Sequence, residues 1–250
     1  YFKIPISAKW VCIHNRDNAY ITKKFKFISK NQIANNDHRN FHVKDFNSAC
    51  KRLINLGYYV IRVGSLQEQY MDIFSEKIID YSNSTLKSDY MDLFLLSKCS
   101  FYLGSDSGLG NVSVISDKYK GLCNSTDFHN LQIQNFKRVI IFKKYYSNKL
   151  KKFLSLKEIF DNNIHRFATF SQFEEEGIQI INNNEKEIEN LAIDLDNILN
   201  NNYTLNIEDK KIHNKFWNII KKYGLNPENN YNEIKVSNYF LKNNLYLIDK

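Results

Sequence analysis

Tyr58-Tyr-Val-Ile-Arg-Val63 is apolar at both parities and bracketed by Gly57 and Gly64. An exposed sheet face would impose alternation of polar and apolar residues, so this run reads as a strand covered on both sides. Such strands belong to parallel sheets sandwiched between helices. Upstream, Phe46, Ala49, Cys50, Leu53 and Ile54 fall at helical spacing and form one face of a helix that Gly57 stops. Trp10–His14 (WVCIH) reads as a second short buried strand, and residues 77–81 (KIIDY) as a third. Residues 86–99 form a helix rich in Leu and Phe. Residues 100–104 (SFYLG) are a strand, 108–116 a short helix, and 120–123 a further strand. Strands alternating with helices over short links predict an α/β fold, a Rossmann-like parallel sheet covered by helices.

The second half carries fewer signals. Residues 138–142 (RVIIF) and 177–181 (GIQII) are candidate strands. Asn184 with Glu187 has the form of a capping box, opening a helix with Ile188, Leu191, Ala192, Leu195 and Leu199 on its core face. Residues 208–223 read as another amphipathic helix, ended by Gly224 and Pro227. The division that follows is 1–9 as a linker or the end of a missing N-terminal domain, 10–182 as the Rossmann-like domain, and 183–250 as a C-terminal helical segment packing on it. A start at Tyr1 rather than Met reads as a fragment, and 250 residues allow one large domain or two small ones.

Composition narrows the class. The net charge is +8, but 29 of the 35 basic residues are lysine, and Asn is abundant while Pro occurs only twice. A background rich in Lys, Asn and Ile raises the charge without any binding role. No element combines a basic cluster with interleaved aromatics, so nothing marks a specific nucleic-acid surface. No apolar run approaches the ~20 residues of a membrane span. The four cysteines (Cys12, Cys50, Cys99, Cys123) show no paired spacing, which disfavours structural zinc and a disulfide framework and points to the cytoplasm.

Against that background the rarer residues stand out. Four of the six arginines lie within the first 62 residues, and four of the eight glycines within 104–121. Arginine presents a planar fork to phosphate, and glycine admits close approach of backbone to a ligand. In parallel α/β sheets ligands bind beyond the carboxyl ends of the strands, and the polar candidates lie there. His14 and Arg16 share a side of an extended segment, with Asp17 next to them. Arg62 ends the second strand and Asp80 the third. Ser105, Ser107 and Gly108 follow the fourth and open a helix, where free N–H groups suit a phosphate. Asp37, Arg39 and Asn40 sit in the long loop from 15 to 42, which can fold over the sheet edge as a lid. Ser88, Asp89 and Asp92 begin a helix, where they either stabilise its dipole or receive a sugar or ribose hydroxyl. Asp194-Leu-Asp196 has a metal-binding look but sits mid-helix and reads as a solvated face, so no metal ligands are assigned.

Six segments in order carry a family resemblance: W-V-C-I-H-N-R-D (10–17), D-H-R-N (37–40), G-Y-Y-V-I-R-V-G (57–64), I-D-Y-S (79–82), S-D-Y-M-D-L-F-L (88–95) and S-D-S-G-L (105–109). Together they resemble a family of bacterial glycosyltransferases of surface-polysaccharide synthesis, with a looser echo at 236–241. The H-x-R element is similar to that of nucleotide-sugar fucosyltransferases of GT-B architecture, although Asp17 here follows the arginine directly. The resemblance implies a GT-B-type donor-binding domain, with a nucleotide sugar as substrate, no cofactor, and a glycan or lipid-linked acceptor that could bring the protein to the membrane periphery. It implies that Arg16 and the Ser105–Gly108 turn hold the diphosphate without a metal. Asp80, Asp89 or Asp92 would contact base, ribose or sugar, and Arg62 would support the strand edge or the phosphate. His14 or Asp17 would be the general base. A non-catalytic nucleotide or phosphosugar-binding module of the same fold is the alternative.

Overall fold

A computed structural model describes residues 3–65, 67–131, 137–225 and 234–249. Its strands are β1 (Trp10–His14), β2 (Tyr59–Arg62), β3 (Ile78–Ile79), β4 (Phe101–Gly104), β5 (Tyr119–Ser125), β6 (Arg138–Phe142), β7 (Lys144–Ser147), β8 (Lys152–Phe153), β9 (Ile178–Ile181) and β10 (Ile234–Val236). The helices are α1 (Ala19–Lys24), α2 (Lys30–Ala34), α3 (Asn47–Asn55), α4 (Asp89–Lys98), α5 (Asn111–Ile115), α6 (Leu156–Asp161), α7 (Phe170–Glu175), α8 (Glu185–Leu199), α9 (Ile207–Lys222) and α10 (Asn238–Asn243).

Seven strands form one parallel sheet in the order β10-β6-β5-β4-β1-β2-β3. This is the Rossmann-like α/β architecture. Alternation within each strand sends Val11, Ile13, Val60, Phe101 and Leu103 into the larger core with α3 and α8. Cys12, Ile61 and Tyr102 enter the smaller core under α4. Both faces of YYVIRV are thus covered, and that is why it lacks a polar parity. α8 starts as its capping box predicts: Asn184 Oδ1 accepts from Glu187 N–H at 2.9 Å, and Glu187 Oε2 accepts from Asn184 N–H at 2.9 Å. Glu187 also pairs with Lys144 at 2.8 Å. Ile188, Leu191, Ala192 and Leu195 are fully buried.

Several readings change. The segment 15–42 holds α1, α2 and a 3-10 turn at Asp37–Arg39 rather than one long loop. The strand at 178–181 does not join the parallel sheet; it pairs antiparallel with β7 beside β8 in a small second sheet. Residues 183–250 supply more than helices, because β10 adds to the edge of the main sheet beside β6. Asp194 is no solvated residue: it is buried, and burial raises its carboxyl to about 6. Its neighbour Asp196 accepts a hydrogen bond from Tyr58 Oη at 2.8 Å. The expected helix stop at Pro227 lies outside the described residues. Five basic side chains are buried (Arg62, Lys120, Arg138, Lys143 and Lys144), and so are five acidic ones (Asp17, Asp92, Glu187, Asp194 and Asp209), so burial among the described residues leaves the charge balance of the surface unchanged.

The strand order places the site. The chain runs outward from β1 to β2 and β3, then returns to the other side of β1 as β4 and continues to β5, β6 and β10. The direction of winding reverses between β1 and β4, and the loops leaving those two strands diverge to open a crevice.

Candidate functional site

A cleft of about 740 Å³ lies at that reversal. His14, Arg16 and Asp17 come from the loop after β1, Gly64, Ser65 and Gln67 from the loop after β2, and Ser107, Gly108 and Leu109 from the loop after β4. Asp89 and Asp92 on α4 form one wall. Tyr20, Ile21 and Lys24 on α1, with Arg39, form another. Eight of the fourteen residues singled out in the sequence (His14, Arg16, Asp17, Arg39, Asp89, Asp92, Ser107 and Gly108) therefore share one space, and their roles divide.

His14 is buried at the floor. Its Nδ1 lies 3.1 Å from the Val63 carbonyl. A carbonyl can only accept, so Nδ1 carries the proton and Nε2 keeps its lone pair. Burial lowers the imidazole to about 4; the Val63 bond opposes this, while Arg62, Arg16 and Lys87 reinforce it. At neutral pH the ring is an uncharged acceptor. Two glycines make its position possible. Gly64, at φ +130°, would bring any Cβ to 2.8 Å from His14 Nδ1, and a Cβ on Gly104 would strike the His14 carbonyl oxygen at 2.2 Å.

The cationic side is built from Arg16 and Arg39. Arg16 forms no ion pair or hydrogen bond through its guanidinium among the described residues, and its Nε is buried without a partner. Burial lowers Arg16 to about 10, helped by Arg39 nearby and opposed by Asp37. Arg39 donates from Nη2 to the Asp106 carbonyl at 3.1 Å. In the turn after β4, the N–H groups of Asp106, Ser107, Gly108 and Leu109 donate to nothing among the described residues. α5 begins only at Asn111 and has five residues, so the turn is not the helix terminus read from the sequence. Its free N–H groups are donors in their own right. Asp106 itself faces inward. Burial works to raise its carboxyl, yet Lys120 at 3.0 Å, Asn130 at 2.9 Å and Arg39 hold it below the usual carboxylate range.

On the acidic side, Asp17 uses both oxygens on backbone: Oδ1 accepts from Ala19 N–H and Oδ2 from Glu68 N–H, each at 3.1 Å. It latches the β1 loop to the β2 loop. Asp92 is buried and contacts Lys87 Nζ, while its Oδ1 is buried without a partner. Burial raises its carboxyl against the pull of Lys87. Asp89, in the same first turn of α4, is exposed on the cleft wall.

Other sequence candidates stand outside the cleft. Arg62 is wholly buried and spends its donors on Asp80 (3.2 Å), Gln69 O, Asn15 Oδ1 and Gln67 Oε1 (3.0 Å each for the last two). It cannot reach a phosphate. Asp80 is occupied by Arg62, Ser82 Oγ at 2.6 Å and Asn83 Nδ2 at 3.0 Å, so it is no sugar or ribose contact. Ser88 caps α4, its Oγ accepting from Met91 N–H at 3.2 Å. Ser105 is buried with its N–H on the His14 carbonyl at 3.0 Å. Asn40 donates to Asn18 Oδ1 and to Asp37 Oδ1, at 2.8 and 3.0 Å, and so braces the segment that carries Arg39. Asp37 also accepts from Asn18 Nδ2 at 2.6 Å and faces Arg16 electrostatically.

Residues not singled out in the sequence complete the picture. Asn15, fully buried, links Arg62 to the Phe41 carbonyl at 3.3 Å. Gln67 and Tyr20, Ile21 and Lys24 line the cleft. Asn15 had a signal, since it sits inside H-N-R-D. The α1 residues had none, because that helix buries only Ala19 and shows no periodicity.

No helix among the described residues is long and apolar enough to cross a membrane. No family model matches the chain, and no curated protein matches it in sequence. Among solved structures it is similar to a dodecameric iron-containing heptosyltransferase, TibC, in complex with ADP-D-β-D-heptose, at 16% identity and a TM-score of 0.34. That similarity covers 54% of this chain and 31% of the heptosyltransferase.

Proposed function

We propose that the chain is a nucleotide-sugar-dependent glycosyltransferase, or the donor-binding part of one, acting on a bacterial glycan or lipid-linked acceptor at the cytoplasmic side. One observation carries the reading. A guanidinium without a partner among the described residues, Arg16, faces the same crevice as Arg39, backbone N–H groups equally unpaired among those residues, and a neutral imidazole. Two arginines and free N–H donors fit a diphosphate, which presents many acceptor oxygens and needs charge balance. As the glycosidic bond to the diphosphate breaks, negative charge grows on the leaving oxygen, and the same donors stabilise it without reorganising.

His14 is the better base of the two considered. Its Nε2 lone pair is free at neutral pH, and it can accept the proton that an acceptor hydroxyl loses on attack. Asp17 is better suited to holding the loop that aims His14 and Arg16, because both its oxygens already bind backbone. Asp92 Oδ1 and Asp89 can receive hydroxyls of the transferred sugar. No metal ligand is assigned to any step.

The test is binding of inorganic pyrophosphate and of nucleoside diphosphates, followed by thermal midpoint and calorimetry. Arg16→Ala should remove most of the stabilisation, with a loss of about 2 kcal/mol in binding for one charge-assisted contact. Unchanged affinity would refute the site. Release of nucleoside diphosphate from a nucleotide sugar in the presence of acceptor identifies an enzyme; tight binding with no release identifies a binding module.

A further inference from the structure

A second recess of about 340 Å³ opens beyond the carboxyl end of β5; Arg39 lines both it and the cleft, and Asp106 lines the recess. It is built around Asn124. That residue is 4% exposed and sits at φ +54°, a conformation asparagine tolerates better than most side chains. The strand irregularity that turns it inward is the register shift between Leu122 and Ser125 in the β5–β6 pairing. Asn124 is held firmly. Its N–H donates to Asn183 Oδ1 at 2.6 Å, and its Oδ1 accepts from Asn183 N–H at 2.7 Å. Its Nδ2 is left buried with no hydrogen-bond partner among the described residues. A buried amide donor without an acceptor carries a desolvation cost that a ligand acceptor would recover.

The rest of the lining indicates what that ligand is. Phe167, His129 and His165 line the recess, and a lining with three planar rings favours a planar ring over a sugar. The charges balance: Arg39 and Arg166 stand against Asp106 and Asp127, and His129 pairs with Asp127 at 2.9 Å. His38, buried at the rim, donates from Nδ1 to the Asn35 carbonyl at 3.1 Å and so offers Nε2 as an acceptor. This suits a neutral heterocycle better than another anion. Arg39 faces both spaces, so a diphosphate held there would send its sugar toward His14 and its other substituent into the recess.

We infer that this recess is the nucleobase pocket of the donor, with Asn124 Nδ2 donating to a carbonyl oxygen or ring nitrogen of the base, an inference that rests on the diphosphate reading of the cleft. Asn124→Asp keeps the acceptor that holds Asn183 and replaces the free donor with a carboxylate oxygen, which repels an acceptor atom of the base. Ala168→Trp fills the recess from its exposed rim without disturbing any buried partner.

The experiment is calorimetric titration of the full chain with pyrophosphate and with UDP, GDP, ADP and CDP. At least one nucleoside diphosphate should bind about tenfold tighter than pyrophosphate, the gain of a recovered hydrogen bond and a stacked ring. Either variant should bring that nucleotide back to within about twofold of pyrophosphate, and the uncharged Ala168→Trp should leave pyrophosphate affinity itself unchanged. Three results overturn the pocket: no nucleoside diphosphate exceeding pyrophosphate, a preferred nucleotide unaffected by both variants, or pyrophosphate affinity falling in parallel with the nucleotide in Ala168→Trp. The first two leave the diphosphate reading of the cleft intact. Failure of pyrophosphate to bind the wild-type chain overturns the cleft reading and the base pocket with it. The unfolding midpoint without ligand checks each variant, and if Asn124→Asp does not fold, Ala168→Trp decides alone.

Discussion

Acidification should destabilise this protein through His14 by an amount that its folded position sets. The imidazole is lowered to about 4, chiefly by burial, against 6.5 for a free histidine. In that interval the unfolded chain binds a proton that the folded chain refuses, so folding stability rises with pH between 4 and 6.5 and is unaffected by this group outside it. Each pH unit within the window is worth about 1.4 kcal/mol, so His14 alone should cost roughly 2 kcal/mol at pH 5 and ~3 kcal/mol by pH 4. The clean comparison is His14→Gln, whose amide can still donate to the Val63 carbonyl but does not titrate. Urea unfolding of both proteins at half-unit steps from pH 7.5 to 4 gives two stability curves, and their difference removes the carboxylates common to both. The difference should be flat above pH 6.5 and turn in favour of the glutamine variant below it, with a slope of one proton. Parallel curves would refute the claim that His14 is held neutral, and with it the lone pair on Nε2 that the proposed chemistry needs.

Arg62→Ala should lower stability by ~3 kcal/mol, because it strands Asp80, Asn15 and Gln67 in a partly dry site; chemical denaturation measures it, and a loss under 1 kcal/mol would show the network to be dispensable. Gly104→Ala should cost at least ~2 kcal/mol, since the new methyl meets a backbone oxygen that cannot rotate aside, and the effect should appear as a lowered thermal midpoint. Asn184→Ala should cost about 1 kcal/mol through loss of the α8 cap, read from the urea midpoint at constant slope.

What could be read in advance follows burial pattern. YYVIRV was legible because a run apolar at both parities has few alternatives, and α8 because its cap and stripe agree. α1 escaped notice: six residues with one buried side chain leave no period to detect. β10 is three residues long and gains its identity from β6, a neighbour almost a hundred residues away in the chain. Of the two roles expected of Arg62, the strand edge and the phosphate, its bonds fit the first. Rarity of arginine pointed to a ligand, but an arginine inside a strand with two covered faces has no surface to reach. Such a residue must be paired internally, and Asp80 stood at the end of the adjacent strand. Arg16, just past its strand, met no such constraint, and its guanidinium has none of these partners.

Arg39 is a partition as well as a ligand candidate, because the same guanidinium borders both cavities. Its long side chain loses rotamer freedom when an anion fixes it from one side, and that loss need not recur when the other side fills. A molecule spanning the partition would therefore bind better than its two fragments taken separately, with an effective concentration supplied by the covalent link between them. The same geometry makes the fragments cooperative: pyrophosphate should raise the affinity of a free nucleoside, and the nucleoside that of pyrophosphate, by one common factor.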